Sequence, residues 1–242
     1  MLEASRKRLL ETLPSDAIVL DIGGWADPLE RADWVIDLMP YETRGLYERR
    51  GWIEPRDRPP ERFDASTWIQ RDVCAREPYP FEDKSVDFVV CAQTLEDLRD
   101  PIGVCAEIKR VGKAGYVEVP SRLEEQSWGV EGPWVGWAHH RWLVDASGGG
   151  LEFTLKPHDI HSRRESHFPA GFWEELSEEE RVMTLWWEDD FACSERVFTE
   201  EQASDRYLPE LVERTLADRH FEAPGRSVRA RLRSRVARAL RT

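Results

Sequence analysis

Four cysteines are few for 242 residues, and they stand far apart at Cys74, Cys91, Cys105 and Cys193. None forms a Cys-x-x-Cys pair, so the pattern favours reduced, packed thiols over a disulfide framework or a cysteine zinc site. Long apolar runs are also missing. None approaches the ~20 residues that a membrane-spanning helix needs. The opening Met-Leu-Glu-Ala-Ser-Arg-Lys-Arg is charged and lacks a signal-peptide apolar region. A cytoplasmic protein is the expectation. Basic residues are short as well: 34 Lys and Arg face 47 Asp and Glu, for a net charge of −13. Such a surface argues against a general nucleic-acid binder. Internal repeats are lacking too. What is present is 40 % hydrophobic residues and eleven tryptophans, enough for a sizeable core.

The stretch from Ala17 to Pro28 organises the rest. Ile18-Val19-Leu20 reads as a short buried strand ending at Asp21, and Gly23-Gly24 follows as a small-residue turn. A carboxylate at a strand mouth, followed by glycines that admit close backbone approach, is nucleotide-site architecture. A second strand, Trp34-Val35-Ile36, ends in Asp37, sixteen residues after Asp21. That spacing suits an acid that accepts hydrogen bonds from ribose hydroxyls.

Taken in order, residues 2–13 read as a surface helix ended by Pro14. A short helix is expected over 42–50, a loop over Pro55 to Pro60, and a third strand at Trp68–Asp72. Val86-Asp87-Phe88-Val89-Val90-Cys91 is nearly continuous in apolar residues, as in a parallel strand covered on both faces. Helical segments follow at Thr94–Leu98 and Pro101–Val111, broken at Asp100-Pro101, and a further buried strand at Tyr116–Pro120. Strand and helix alternating at this spacing predict an α/β fold, a doubly wound, mostly parallel sheet. Beyond Pro120 the pattern turns to hairpins. Arg141–Asp145 and Leu151–Leu155 flank Ser147-Gly148-Gly149-Gly150. Arg181–Glu188 and Ser194–Phe198 read as a second antiparallel pair.

These residues resemble the class I S-adenosylmethionine (SAM)-dependent methyltransferases, most closely the bacterial methyltransferase-domain proteins of glycan and natural-product pathways. The resemblance covers residues 15–122. Val19-Leu20-Asp21-Ile22-Gly23-Gly24 is similar to the family's first motif, although Trp25 and Asp27 stand where its second and third glycines are common. Asp37 matches the acid ending strand 2, and Arg71-Asp72-Val73 the segment flanking adenine. Pro80 to Pro101 is similar to the strand 4 motif almost end to end, and Gly115 to Pro120 to the strand 5 motif. Many relatives carry histidine where Gln93 and Asp97 stand, while Glu96 keeps the usual acid. The resemblance implies a Rossmann-like sheet, SAM as cofactor, and a cofactor site drawn from Asp21, Gly23, Gly24, Trp25, Asp37, Asp72, Val73 and Cys91. For Asp21 a second role is open, holding the glycine turn. Trp25 either narrows the pocket or stacks on the cofactor. The expected layout is a methyltransferase domain over 1–200, with its motif-bearing core at 15–122 and a hairpin-rich cover at 123–200. A helical extension follows at 201–242.

Methyl transfer from a sulfonium needs mainly alignment and exclusion of water, and a hydroxyl acceptor gains about 10²–10⁴-fold from a general base. Five of six histidines fall within 139–167, in the expected cover. His139 and His140 are candidate bases together with Glu96, or, with Asp or Glu, candidate ligands of a divalent metal. His158-x-x-His161 names no third ligand, and no metal site is assigned. Trp134, Trp137 and Trp142 either stack on an acceptor or pack a core. O-methylation of a sugar, glycan or small-metabolite hydroxyl is the expected reaction, with no nucleic-acid partner. A non-catalytic binding or scaffold protein is the alternative, and a nicotinamide oxidoreductase is disfavoured by the absent Gly-x-Gly-x-x-Gly. Residues 226–242 hold seven arginines and no acid. They read as a basic amphipathic helix for weak contact with a membrane surface or acidic partner, or folded back on the acidic body.

Overall fold

A computed structural model of the chain describes residues 1–54, 59–200 and 202–221. The basic segment 226–242 and residues 55–58 of the expected Pro55–Pro60 loop lie outside the described residues.

Helix α1 (Glu3–Thr12) precedes strands β1 (Val19–Ile22) and β2 (Trp34–Asp37), and the short helix α2 (Leu46–Arg49) leads toward β3 (Trp68–Gln70). Strand β4 (Val86–Ala92), helix α3 (Pro101–Val111) and strand β5 (Gly112–Pro120) complete the part in which the motifs lie. Helix α3 starts where the sequence dictates. The Asp100 side chain accepts a hydrogen bond from the Gly103 amide, and Pro101 takes the first turn, where a missing N–H costs nothing. Short helix α4 (Arg122–Glu125), the hairpin β6 (Trp142–Ser147) and β7 (Gly150–Leu155), helix α5 (Glu178–Arg181), strands β8 (Val182–Glu188) and β9 (Cys193–Glu195), and helix α6 (Ala203–Asp218) follow.

Six strands form one sheet in the order β3-β2-β1-β4-β5-β8, parallel except for β8, which runs antiparallel to β5. This is the doubly wound, Rossmann-like α/β arrangement. Its order reverses between β1 and β4, and at such a switch point the loops part to leave a crevice beyond the strands' carboxyl ends. Both faces are covered. Leu20, Ile22, Ile36, Val89 and Val117 pack with Val104, Ile108 and Val111 of α3. On the other face Val19, Val35, Val90 and Tyr116 pack with Leu9 of α1, Leu29 and Phe63.

The second sheet has the order β6-β7-β9. Its Trp142, Val144, Leu151 and Phe153 enter the same core as α3, so the hairpin is fused to the main sheet's packing. Of the tryptophans considered above, Trp142 is core and Trp134 is exposed. One expectation is corrected. Residues 181–188 and 194–198 do not pair with each other: β8 extends the main sheet, whereas β9 runs parallel to β7 in the second. Alternating edge strands carry no mark of their partner in sequence.

Helix α1 is fastened by a buried charge. Arg6, 2 % exposed, pairs with the equally buried Glu30 and, at 2.8 Å, with Asp27, and its Nη2 donates to the Asp27 carbonyl at 3.2 Å. Asp27 thus anchors the loop after β1 to α1. Removing one partner of a buried ion pair costs about 3–5 kcal/mol. Arg6→Met is therefore expected to lower unfolding free energy by about that amount in urea titrations, while Lys7→Ala, at an exposed position, changes it by under about 0.5 kcal/mol.

Candidate active site

The loops that leave β1, β2 and β4 converge at the switch point. The Gly23 amide donates to the Ile36 carbonyl at 2.9 Å, which ties the turn to β2. Gly23 has φ +76°, and a Cβ there would stand 2.2 Å from Thr94 Oγ1, so only glycine lets the two loops close. Asp37 ends β2 with Oδ1 accepting from the Met39 amide at 2.8 Å and Oδ2 from the Trp25 amide at 3.1 Å. Each oxygen keeps a second lone pair for a hydroxyl donor. Burial raises the Asp37 carboxyl above its ordinary range against those amides. Leu38 follows, 62 % exposed, as an apolar platform beside the acid.

Other expected cofactor residues hold different posts. Asp21 is buried, and its Oδ2 accepts from the Leu29 amide at 2.8 Å, so it holds the 21–29 turn. Trp25 donates from its indole to Thr43 Oγ1 at 2.9 Å and packs in the α1-side core. Asp72 is partly exposed, pairs with Arg99 and accepts from the Cys74 amide. Val73 and Cys91 both lie in the α3-side core, and Cys91 has no exposed surface to offer a ligand. Burial pushes the Cys91 thiol well up, which makes it a packing residue.

Two positions beyond Thr94 the polypeptide enters a buried charged cluster. Glu96 is 1 % exposed, and its Oε2 has no hydrogen-bond partner among the described residues. Burial pushes its carboxyl up to about 8, with the His140 cation opposing. His140 comes from the loop before β6, and its Nε2 lies 3.9 Å from Asp97 Oδ1. Its Nδ1 shares a 2.8 Å hydrogen bond with Glu125 Oε1. The other oxygen of Glu125 accepts from Lys156 Nζ at 2.8 Å, and that ammonium also donates to the Trp137 carbonyl at 2.8 Å. An ionised carboxylate cannot donate, so Nδ1 carries the proton and Nε2 is the nitrogen turned to Asp97. Burial alone would lower the His140 pKa; the hydrogen bond and charge of Glu125, with Glu96 and Asp97, outweigh it and raise it. Gly136, at φ +58°, lets the Trp137–His140 loop lie against Glu125, where a Cβ would meet the Glu125 carbonyl at 2.5 Å.

Tyr47 feels the charges of this cluster. Burial raises its phenol, and the charges of Glu96, Asp97 and Asp27 add to the shift. Sequence reasoning singled out His139, His140 and Glu96 as candidates and passed over Glu125 and Lys156, which the fold joins to His140. Asp97 had been noted only as a departure. Outside this cluster, His161 accepts from the Val135 amide at 3.1 Å and His167 stacks on Trp128. Both line a separate cavity of about 910 Å³ beside α6.

The family described as "Methyltransferase domain" matches residues 55–117. No curated protein sequence matches the chain. Among solved structures, it is similar to a putative methyltransferase from Bacillus halodurans C-125 (16 % identity, 49 % of this chain and 52 % of that one, TM-score 0.34). A SAM-dependent methyltransferase from Aquifex aeolicus (17 %, 48 % and 64 %, 0.31) and another from Methanosarcina mazei (22 %, 48 % and 57 %, 0.35) also match. The chain thus spans between half and two thirds of the length of these proteins.

Asp21 generates a pH prediction. Its folded pKa stands at about 7, chiefly through burial and against the Leu29 amide, from an ordinary 3.8. The folded state therefore holds a proton that the unfolded state has lost, and stability falls as pH rises from about 4 to about 7. Asp21→Asn keeps an acceptor for the Leu29 amide and removes that titration. Its melting temperature is expected to decline less than the parent's across the window; parallel declines would contradict the assignment.

Proposed function

We propose that the chain is a SAM-dependent methyltransferase acting on a hydroxyl of a sugar, glycan or small metabolite by in-line transfer. The observation that carries the reading is the junction at Thr94. One side of this residue closes the Gly23 turn beside Asp37, and two and three positions later Glu96 and Asp97 face His140. A cofactor cradle and a proton-active cluster thus share one loop at the switch point.

The residues fit the cofactor. Asp37 keeps lone pairs for ribose hydroxyls, Leu38 offers an apolar face for adenine, and the Gly23-Gly24 backbone has no side chain in the way. Trp25 is turned aside to Thr43 and leaves the cradle open. Asp72, which the resemblance assigns to the adenine end, is paired with Arg99. When bound, SAM supplies an electrophilic methyl group on a sulfonium.

The chain's own residues supply the rest. Glu125 fixes the His140 ring through Nδ1 and turns Nε2 outward beside Asp97. In its neutral form His140, with Asp97 and the exposed His139, activates the acceptor oxygen. Glu96, uncharged near neutrality, adds no repulsion to an oxygen gaining negative charge. Trp137, whose ring centroid is 6.0 Å from that of His140, walls the mouth.

A non-catalytic binding fold is the second reading, favoured by Trp25 and Asp27 at motif glycine positions and by the Arg6 anchor on that loop. Calorimetry separates the two. SAM and S-adenosylhomocysteine are expected to bind saturably, and Asp37→Ala to weaken both by more than about 100-fold, an estimate of about 3 kcal/mol for hydrogen bonds to a charged group. His140→Gln is expected to keep cofactor binding and lose about 10²–10⁴-fold in transfer rate to a hydroxyl acceptor. Cofactor binding without transfer to any acceptor in a sugar and metabolite panel supports the binding fold. No binding by folded protein removes the methyltransferase reading and leaves a non-catalytic fold that serves protein partners.

A further inference from the structure

We propose that Asp97, His139 and His140 bind one borderline divalent metal ion, such as Zn²⁺, at the acceptor mouth. The proposal rests on reading this mouth as the acceptor end. One donor atom from each residue lies within 4.8 Å of the other two. Tetrahedral bonds of about 2.0–2.2 Å bring such atoms to about 3.4 Å apart. The side chains of Asp97 and His139, 42 % and 59 % exposed, are free to turn through that difference, while His140 is the fixed point.

Two features outside the donor set point the same way. Glu125 holds the His140 Nδ1–H, the carboxylate–histidine arrangement that fixes ring orientation and tautomer in metal sites and aims Nε2 outward. Lys156 satisfies the second oxygen of Glu125 and prevents it from becoming a ligand itself. Two imidazoles and one carboxylate suit zinc and its first-row neighbours, whereas magnesium and calcium prefer oxygen ligands throughout.

Three protein ligands on one side leave positions open for the acceptor hydroxyl, and the ion lowers that hydroxyl's pKa. Its proton leaves to solvent, the oxygen forms its bond to the methyl carbon, and the electron pair of the breaking S–C bond goes to sulfur. The acceptor class is thereby narrowed to hydroxyl compounds able to reach a metal, such as vicinal diols of sugars.

The test is titration of the metal-stripped full-length protein with Zn²⁺ by calorimetry, with Co²⁺ visible absorption as a second readout. One saturable site per chain is expected. Asp97→Ala and His139→Ala, both at exposed positions, are expected to weaken it by more than about 100-fold, beyond the roughly 10–100-fold that loss of an outer-shell partner brings. His158→Ala is expected to leave it unchanged. Thermal unfolding with and without Zn²⁺ checks that each variant is folded and should show a metal-dependent rise only in the parent and His158→Ala. Absence of a one-to-one site, or a site unchanged in both Asp97→Ala and His139→Ala, overturns the proposal. SAM titrated into the same preparation separates the failures: cofactor binding without a metal site overturns this inference alone. A metal site without cofactor binding overturns the methyltransferase reading.

Discussion

A single inaccessible carboxylate, Glu125, sets the geometry of the mouth. One of its oxygens meets the Lys156 ammonium and the other the His140 ring. A buried charge without partners is costly, so folding strongly favours bringing these three groups together. They arrive from different places: Glu125 at the end of α4, His140 just before β6, Lys156 just after β7. Closing the network therefore fixes the β6–β7 hairpin against the carboxyl end of β5 and positions the 136–141 loop over β4. The apolar side of that hairpin, Trp142, Val144 and Phe153, secures the same placement through the α3-side core.

The parallel sheet supplies the other half. Strand order reverses between β1 and β4, so the loops at their carboxyl ends diverge there, and the Gly23 turn and Thr94 fill the gap. Asp21 and Asp27 brace the turn from behind, one through the Leu29 amide and the other through Arg6. Backbone position here is set by buried charge as well as by glycine. The cradle is consequently built from a turn whose stiffness comes from α1 as well as from the sheet.

Much of this was legible in the sequence. Strands β1, β4 and β5 are apolar on both faces and could not be surface strands, and Asp100-Pro101 marks the start of α3. Asp37 and Gly23-Gly24 were singled out as candidates because chain order and spacing constrain them. Strand β8 was given the wrong neighbour because an edge strand's alternation does not name its partner. Glu125 and Lys156 were passed over because isolated charges ordinarily lie in solvent. Only their convergence in space makes them special. The histidines were grouped by nearness in sequence, whereas the fold parts His139 and His140 from His161 and His167, which go to the cavity beside α6. Cys91 looked like a pocket residue from its place at the end of β4, but the alternation of the strand turns it inward.

The claim that the Glu125 network joins hairpin to sheet is tested most directly by a double-mutant cycle on unfolding free energy with Lys156→Met and Glu125→Gln. Each single change leaves a buried charge without its counterpart and is expected to cost about 3–5 kcal/mol. The double variant is expected to cost about 2–3 kcal/mol less than the two single changes summed, the coupling of a contacting pair. Additive costs, or single costs below about 1 kcal/mol, would show that the two groups do not depend on each other and would contradict this account of the mouth.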